Sequence, residues 1–285
     1  MSEYRISRPG VYDIPEQYYH ADPVEGGSLS STGARRLLPP GTPARFFYDL
    51  HHPQPVKQHF EAGRAAHRMV LGAGPELRVI EGNDRRMKAT RAAADAARAE
   101  HAVPLLEPEM ETITAMADAI KAHPVAGRIF RPGFGQAEQS LIWRDERTGV
   151  WRRARPDWLP HQSGGRLILV DYKTTTDASD DAVQKSINKF GYHQQAAWYR
   201  DGALALGLAD EVSFVFCFQE KSAPFLVRMV QLDSITMRIG AAMNARALDV
   251  YAECRKTGRW PGYSDDVDVF ALPSWAEAHQ SQEYL

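Results

Sequence analysis

The spacing of apolar residues changes along this chain, and the change divides it. Up to about residue 130 they recur at the three- and four-residue intervals of a helix face, and from about 136 they alternate or run together as strands do. A short helix is predicted from Ser30 or Ser31 to Leu38, because serine caps an N-terminus well and Pro39-Pro40 stops the run. Pro43 suits the first position of a second helix, 43–50. A third, 57–72, ends in Gly72, as helices commonly do. The Ala-rich stretch 84–101 is strongly helical by propensity, and 107–122 sets Ile113, Met116, Ala117 and Ile120 on one stripe before His123-Pro124 breaks it.

Beyond 136 the segments QAEQSLIWR, VWRRARPDWL and RLILVDYK read as three strands, joined by turns around Gly149 and Ser163-Gly164-Gly165. A helix at about 190–207 and strands at 211–219 and 225–232 follow, then a long helix from Asp233 to Thr257 closed by Gly258. Residues 1–28 read as an extended arm and 259–285 as an irregular tail. No repeat and no Gly/Ser-rich linker interrupts the rest. The expectation is one α/β domain over 29–258, with a helical front at 29–130 and a mixed-sheet core at 136–258.

Composition narrows the function. The 285 residues carry 34 basic and 36 acidic side chains, a net charge of −2, which excludes a polycation but permits a local cationic groove. Two lone cysteines, Cys217 and Cys254, cannot build a four-cysteine zinc site or an iron–sulfur cluster, and they suit a reducing compartment. The N-terminus lacks the apolar core of a signal peptide, and the run Leu167 to Val170 is far short of the roughly 20 residues of a membrane span. A cytoplasmic protein without a membrane partner is expected. Neither a P-loop nor HExxH is present.

The sharpest chemical signal is Leu167-Ile168-Leu169-Val170-Asp171-Tyr172-Lys173. The four apolar residues read as a strand buried on both faces, and strand alternation puts Asp171 and Lys173 on one side with Tyr172 opposite. An acid and an amine leaving a core strand together are costly unless they pair or ligate a metal. On spacing alone, a surface ion pair at a strand end is the preferred reading. Asp157, fourteen residues earlier beside Pro156, comes next to Asp171 if the two strands form a hairpin. Two adjacent carboxylates need a cation between them, and hard oxygen ligands suit Mg²⁺ or Mn²⁺. His67 lies on the apolar face of the helix 57–72 with Phe60, Gly63 and Leu71, where a core histidine is the ordinary reading, and Gly63 would let another backbone approach. Gln195 and Tyr199 share a helix face, and Glu138 sits in the first strand of the trio.

In this order, His67, Glu138, Asp157, Asp171-x-Lys173 and Gln195-x-x-x-Tyr199 resemble the PD-(D/E)xK nuclease superfamily, in the branch of RecB-type nuclease domains, Cas4 and the phage-type exonuclease RecE (exodeoxyribonuclease VIII). GRAAHRMVLG is similar to that branch's histidine motif and YHQQAAWYRDG to its Q-x-x-x-Y helix. SLSSTGARRLL, PARFFYDL and the Ala-rich stretch look RecE-like. The resemblance implies a restriction-endonuclease-like core. It implies a divalent metal, Mg²⁺ or Mn²⁺, held by His67, Asp157, Asp171 and the Tyr172 carbonyl, with Glu138 as a weaker transfer. Lys173 would orient or deprotonate the attacking water and offset phosphate charge, with Asp157 and Asp171 beside it. Gln195 and Tyr199 would contact DNA. Arg64, Arg153 and Arg155, with the neighbouring Arg144, Arg147 and Arg152 and the front-helix bases Lys57, Arg68, Arg85, Arg86, Lys88, Arg91 and Arg98, are candidate phosphate contacts. The implied activity is 5′→3′ digestion of linear double-stranded DNA ends to leave 3′ tails for a single-strand annealing protein, by an oligomer that is ring-shaped in several relatives. A Cas4-like single-strand nuclease, without the usual cluster, and an inactive DNA-binding module are the alternatives.

Overall fold

A computed structural model describes residues 4–52, 61–82, 84–161 and 165–285. The front holds β1 (Gly10–Tyr12), α1 (Glu16–His20), β2 (Leu29–Ser30), α2 (Ser31–Arg36), α3 (Pro43–His51) and α4 (Glu61–Leu71). Next come β3 (Leu77–Val79), α5 (Lys88–Ala99), β4 (Val103–Leu105), α6 (Glu107–Ala122) and α7 (Ala126–Ile129). The strand-rich middle is β5 (Gly135–Ala137), β6 (Ser140–Arg144), β7 (Trp151–Ala154), β8 (Trp158–Pro160) and β9 (Arg166–Thr175). The chain closes with α8 (Asp180–Phe190), α9 (Tyr192–Ala205), β10 (Glu211–Glu220), β11 (Val227–Gln231), α10 (Ser234–Thr257) and α11 (Ser274–Tyr284).

Local chemistry sets many of these ends. The Ser30 hydroxyl accepts from the Gly33 amide, Thr42 caps Pro43 onward, and the Asp233 carboxylate accepts from two amides at the start of α10. The expected start of the third helix, with Lys57 and Phe60, lies outside the described residues, as do Ser163 and Gly164 of the expected turn.

The main sheet has the order β11-β10-β9-β8-β5, parallel between β9 and β10 and antiparallel elsewhere. Helices cover both of its faces, which is the expected mixed α/β architecture. Alternation along β9 divides the core: Leu167 and Leu169 pack with Trp198, Phe214 and Phe216 toward α9 and α10, while Val170 and Tyr172 pack with Ala65, Met116 and Ile120 of α4 and α6. The α9–α10 crossing is so close that a Cβ on Gly240 would stand 2.1 Å from the His193 carbonyl oxygen.

Three features depart from the sequence expectation. The trio of strands is divided between two sheets, because the chain turns at Glu138, which adopts a left-handed φ of 52°, and again at Pro156, which has no amide to donate. The halves β6 and β7 leave the main sheet and join β1 and β2 in a second one, ordered β1-β6-β7-β2. The arm is therefore structured: β1 pairs with β6, α1 follows, and Ile6, Ile14, Tyr19 and Val24 form a small core against Ile142. Beyond the arm, the helices α7, α8 and α11 and the β3–β4 pair also lie outside the sequence expectation. Among the described residues no helix is long and apolar enough to cross a membrane.

Gly240→Ala should force α9 and α10 apart and destabilise the fold by about 1–3 kcal/mol, read as a fall of several degrees in Tm; an unchanged melt would contradict the close crossing.

Candidate active site

The site forms where β9 runs out of its apolar stretch. Asp171 and Lys173 emerge on the side of the sheet that faces α9, while the Tyr172 ring turns the other way. There its hydroxyl donates to Gln219 Oε1 at 2.5 Å, and Gln219 in turn donates to the Met116 carbonyl at 2.8 Å. That buried chain fixes the rotation of β9, so the backbone at residue 172 presents both its groups to β8 and α4. The Tyr172 amide donates to Asp157 Oδ2 at 2.7 Å, and its carbonyl lies 3.0 Å from His67 Nε2. Asp157 arrives because β8 and β9 form an antiparallel pair around Trp158 and Val170. His67 arrives from α4, whose buried Ala65 and Ala66 let that helix lie close to the sheet.

His67 Nε2 is 3.4 Å from Asp157 Oδ2. Three donors from three elements thus converge: an imidazole nitrogen, a carboxylate oxygen and a backbone carbonyl. Ligands of a small divalent cation at about 2.1 Å in neighbouring octahedral positions lie about 3.0 Å apart, close to the spacings found here. Among the described residues no three His, Cys, Asp or Glu side chains converge in this way, because the third donor is main chain and Asp171 stands one step aside. Asp171 is buried at 1% exposure, its Oδ1 accepts from Gln195 Nε2 at 2.7 Å, and its Oδ2 pairs with the Lys173 ammonium. Apart from that ion pair, Asp171 Oδ2 is a buried oxygen with no hydrogen-bond donor among the described residues. The donor set therefore fits a divalent cation: hard oxygens, one nitrogen and a further carboxylate in reserve.

Burial, and secondly the charge of Asp171, push the Asp157 carboxyl up to about 6, against the pull of His67 and Lys173. For Lys173 burial acts the other way, but Asp171 and Asp157 outweigh it and hold the amine above its ordinary value, as a firm ammonium. Lys173 also lies over the Tyr192 ring, 5.0 Å from its centroid.

A cleft of about 790 Å³ opens over these groups. Its walls are α4 with Gly63, Arg64 and His67 on one side and the arm with Glu16, Tyr19 and His20 on the other. Glu138 lines the cleft but is paired with Arg155 at 3.2 Å, not turned to the three converging donors. Gln195 and Tyr199 reach the site, the first through Asp171 and the second as a buried ring against Phe214. Gly63 faces Thr174 at ordinary contact distance and admits no backbone.

The arginines behave differently from the sequence expectation. Arg153 is buried and donates to the Ser28 carbonyl and hydroxyl while pairing with Asp22 at 2.9 Å. Arg155 donates to the Ile14 carbonyl and the Ser140 hydroxyl. Both guanidiniums lie over the Tyr19 ring, 5.6 and 5.5 Å from its centroid, so they fasten the arm to β7. Arg152 is held between Trp143 and Trp198. Arg144 donates to the Gly149 carbonyl and Arg147 pairs with Asp249. Arg85 and Arg98 are held by Glu109 and Glu61, Arg86 by Asp84, and Arg68 by the Gly72 carbonyl. Arg64 keeps only a 3.8 Å approach to Glu16 and borders the cleft. The arm's part in the cleft wall had no signal beyond Tyr19 and the arginines that hold it.

The sequence profile described as "PDDEXK-like domain of unknown function (DUF3799)" matches residues 48–273. No curated protein matches. Among solved structures, a protein described as "Putative exonuclease" from Eubacterium rectale has a similar fold, with a TM-score of 0.57, 12% identity, and coverage of 95% of this chain and 99% of the other. A second, described as SSO0001, has a TM-score of 0.38 at 11% identity over 85% and 82% of the two chains.

The raised Asp157 carboxyl fixes the sign of a pH effect. Its stabilising contribution is present below the ordinary aspartate range and is lost as pH rises through about 6, where the buried group must ionise. Lys173, whose value is raised, contributes unchanged over this window. With chelator present, Asp157→Asn should therefore melt a few degrees above the parent at pH 8 and level with it below pH 4; equal differences at both would show that Asp157 titrates normally.

Proposed function

This chain belongs to the PD-(D/E)xK nuclease superfamily, and from that membership we propose that it is a metal-dependent nuclease, specifically an exodeoxyribonuclease acting on linear double-stranded DNA. The observation that carries the reading is the convergence of His67 Nε2, Asp157 Oδ2 and the Tyr172 carbonyl beside the Asp171–Lys173 pair. A divalent cation bound by these donors would acidify water near neutral pH and act as a Lewis acid toward the phosphate. His67 would bind through Nε2 in its neutral form, exchanging its contact with the Tyr172 carbonyl for the cation. Asp157 would remain oriented by the Tyr172 amide, and Asp171 by Gln195.

Before a cation binds, Asp171 and Asp157 hold Lys173 as an ammonium, which suits it to donate to phosphate oxygen and to offset the charge that builds there. Gln195 acts as a positioning residue, since its amide is engaged by Asp171. Glu138, committed to Arg155, supports the cleft wall more than the cation site.

The finer reading is 5′→3′ digestion that leaves 3′ tails for an annealing protein, with Mg²⁺ or Mn²⁺ as the cation. It is drawn from the RecE-like motifs alone; the description of the structural neighbour supports only exonuclease action.

Lys173→Ala should lower digestion of linear duplex by about a thousandfold while calorimetry still detects Mn²⁺, and chelator should abolish the parent's activity. Covalently closed circles should survive a treatment that consumes the linear form. Circles cut at the linear rate would make this an endonuclease, and an undiminished Lys173→Ala protein would overturn the site. Raising pH from 5 to 7.5 should tighten Mn²⁺ binding about tenfold or more, since Asp157 must release its proton to ligate; affinity flat across that range would place the cation elsewhere.

A further inference from the structure

The long helix α10 buries one face, through Gly240, Asn244, Ala247 and Leu248, and turns another outward. On the outer face Ile235, Ile239 and Ala242 follow i, i+4, i+7, and both isoleucines are more than half exposed. From Ser234 to Leu248 the only charged side chains are Arg238 and Arg246. Both are exposed, and among the described residues neither has a carboxylate within ion-pairing distance. The nearest acids along the helix are already engaged: Asp233 accepts from the first helix amides, and Asp249 pairs with Arg147. The result is an apolar stripe flanked by two unmatched cations.

The chain beyond α10 carries the opposite surface. Trp260 stacks on Phe47, with ring centroids 4.8 Å apart, and the Pro261 carbonyl accepts from the Ala44 amide, which ties the root of the tail to α3. Past Asp265, which pairs with Arg259, no hydrogen bond or ion pair joins the tail to the body among the described residues. Val267, Val269 and Phe270 are 88%, 98% and 88% exposed. Bare apolar side chains in such a run mark an interaction surface. They are interleaved with Asp266 and Asp268, and from residue 260 onward the chain has five of its 36 acidic side chains and none of its 34 basic ones. The tail is therefore negative and the remainder positive. Nucleic acid would be repelled by these acids, so the occupant they suit is a protein surface both apolar and basic.

We propose that the tail is a self-association element: the segment 266–270 of one copy seats on the outer face of α10 in a second copy of this chain. Its apolar side chains lie against the stripe of Ile235 and Ile239, and its carboxylates lie beside Arg238 and Arg246. The dimensions agree. Eight residues separate the two arginines, about 12 Å along a helix, and five extended residues span about 13 Å. Each copy brings one tail and one receptor helix, so two copies can exchange tails and cover both pairs of surfaces at once. Nothing in this inference depends on the nuclease reading.

The test is sedimentation equilibrium of the full chain over a range of concentrations. The parent should self-associate. Asp266→Lys with Asp268→Lys, and separately Arg238→Glu with Arg246→Glu, should each weaken that association about tenfold or more while leaving Tm unchanged, because all four side chains are exposed. Phe270→Ser should weaken it about a hundredfold. An equimolar mixture of the two charge-reversed proteins should associate as the parent does, since each tail then meets a helix of opposite charge. A parent that is monomeric at about 100 μM overturns the proposal. So does an oligomer that these variants leave intact, which would be held by another surface. A mixture that stays dissociated overturns it as well, because the acids and the arginines would then not meet between copies.

Discussion

A carboxylate and an ammonium leave the end of one buried strand, a second carboxylate meets them from the start of its neighbour, and the surrounding structure answers that electrostatic demand. Asp171 is almost fully enclosed, and the proton affinity of Asp157 is raised by its own burial and then by the charge of Asp171. A buried ion pair of this kind is weak evidence for stability, because packed apolar residues of similar volume usually serve the fold as well or better. Its place beside the cleft is what makes it a candidate site for chemistry. Lys173, the Gln195 amide and the Tyr172 amide each relieve part of the charge, and a cation would relieve the remainder.

The same demand explains why the backbone of residue 172 matters as much as its neighbours' side chains. The Tyr172 ring is anchored through Gln219 to α6, so the strand cannot rotate, and both of its backbone groups are spent on the site. Positions that look merely structural, such as Gln219 and Ala65, therefore set the distances on which the donors depend.

Arginines tell the complementary story. A run such as Arg152, Arg153 and Arg155 reads as a basic patch, yet alternation and the division of the strands send each guanidinium inward, to paired tryptophans or to the arm. The arm becomes a wall of the cleft because those cations hold Tyr19 beneath them. Positive charge at the cleft comes from a few specific groups, chiefly Lys173 and Arg64, in a protein whose overall charge is near zero.

The change of period near 136, the capped helices and the D-x-K strand were readable because each depends on neighbours within a few residues. The β8–β9 hairpin carried Asp157 to Asp171 for the same local reason. What lay beyond the chain's own pattern were relations between distant segments: the departure of β6 and β7 to a second sheet, the pairing of the arm with them, and the inward fate of the arginines. His67 shows the boundary well. The sequence by itself determined that an imidazole would lie on the apolar side of a helix and that an acid and a lysine would leave one side of a strand end, since periodicity governs both. Only the tertiary structure decided that the imidazole meets the Tyr172 carbonyl and Asp157, because that distance depends on how α4 packs against the sheet, a contact between residues about a hundred positions apart.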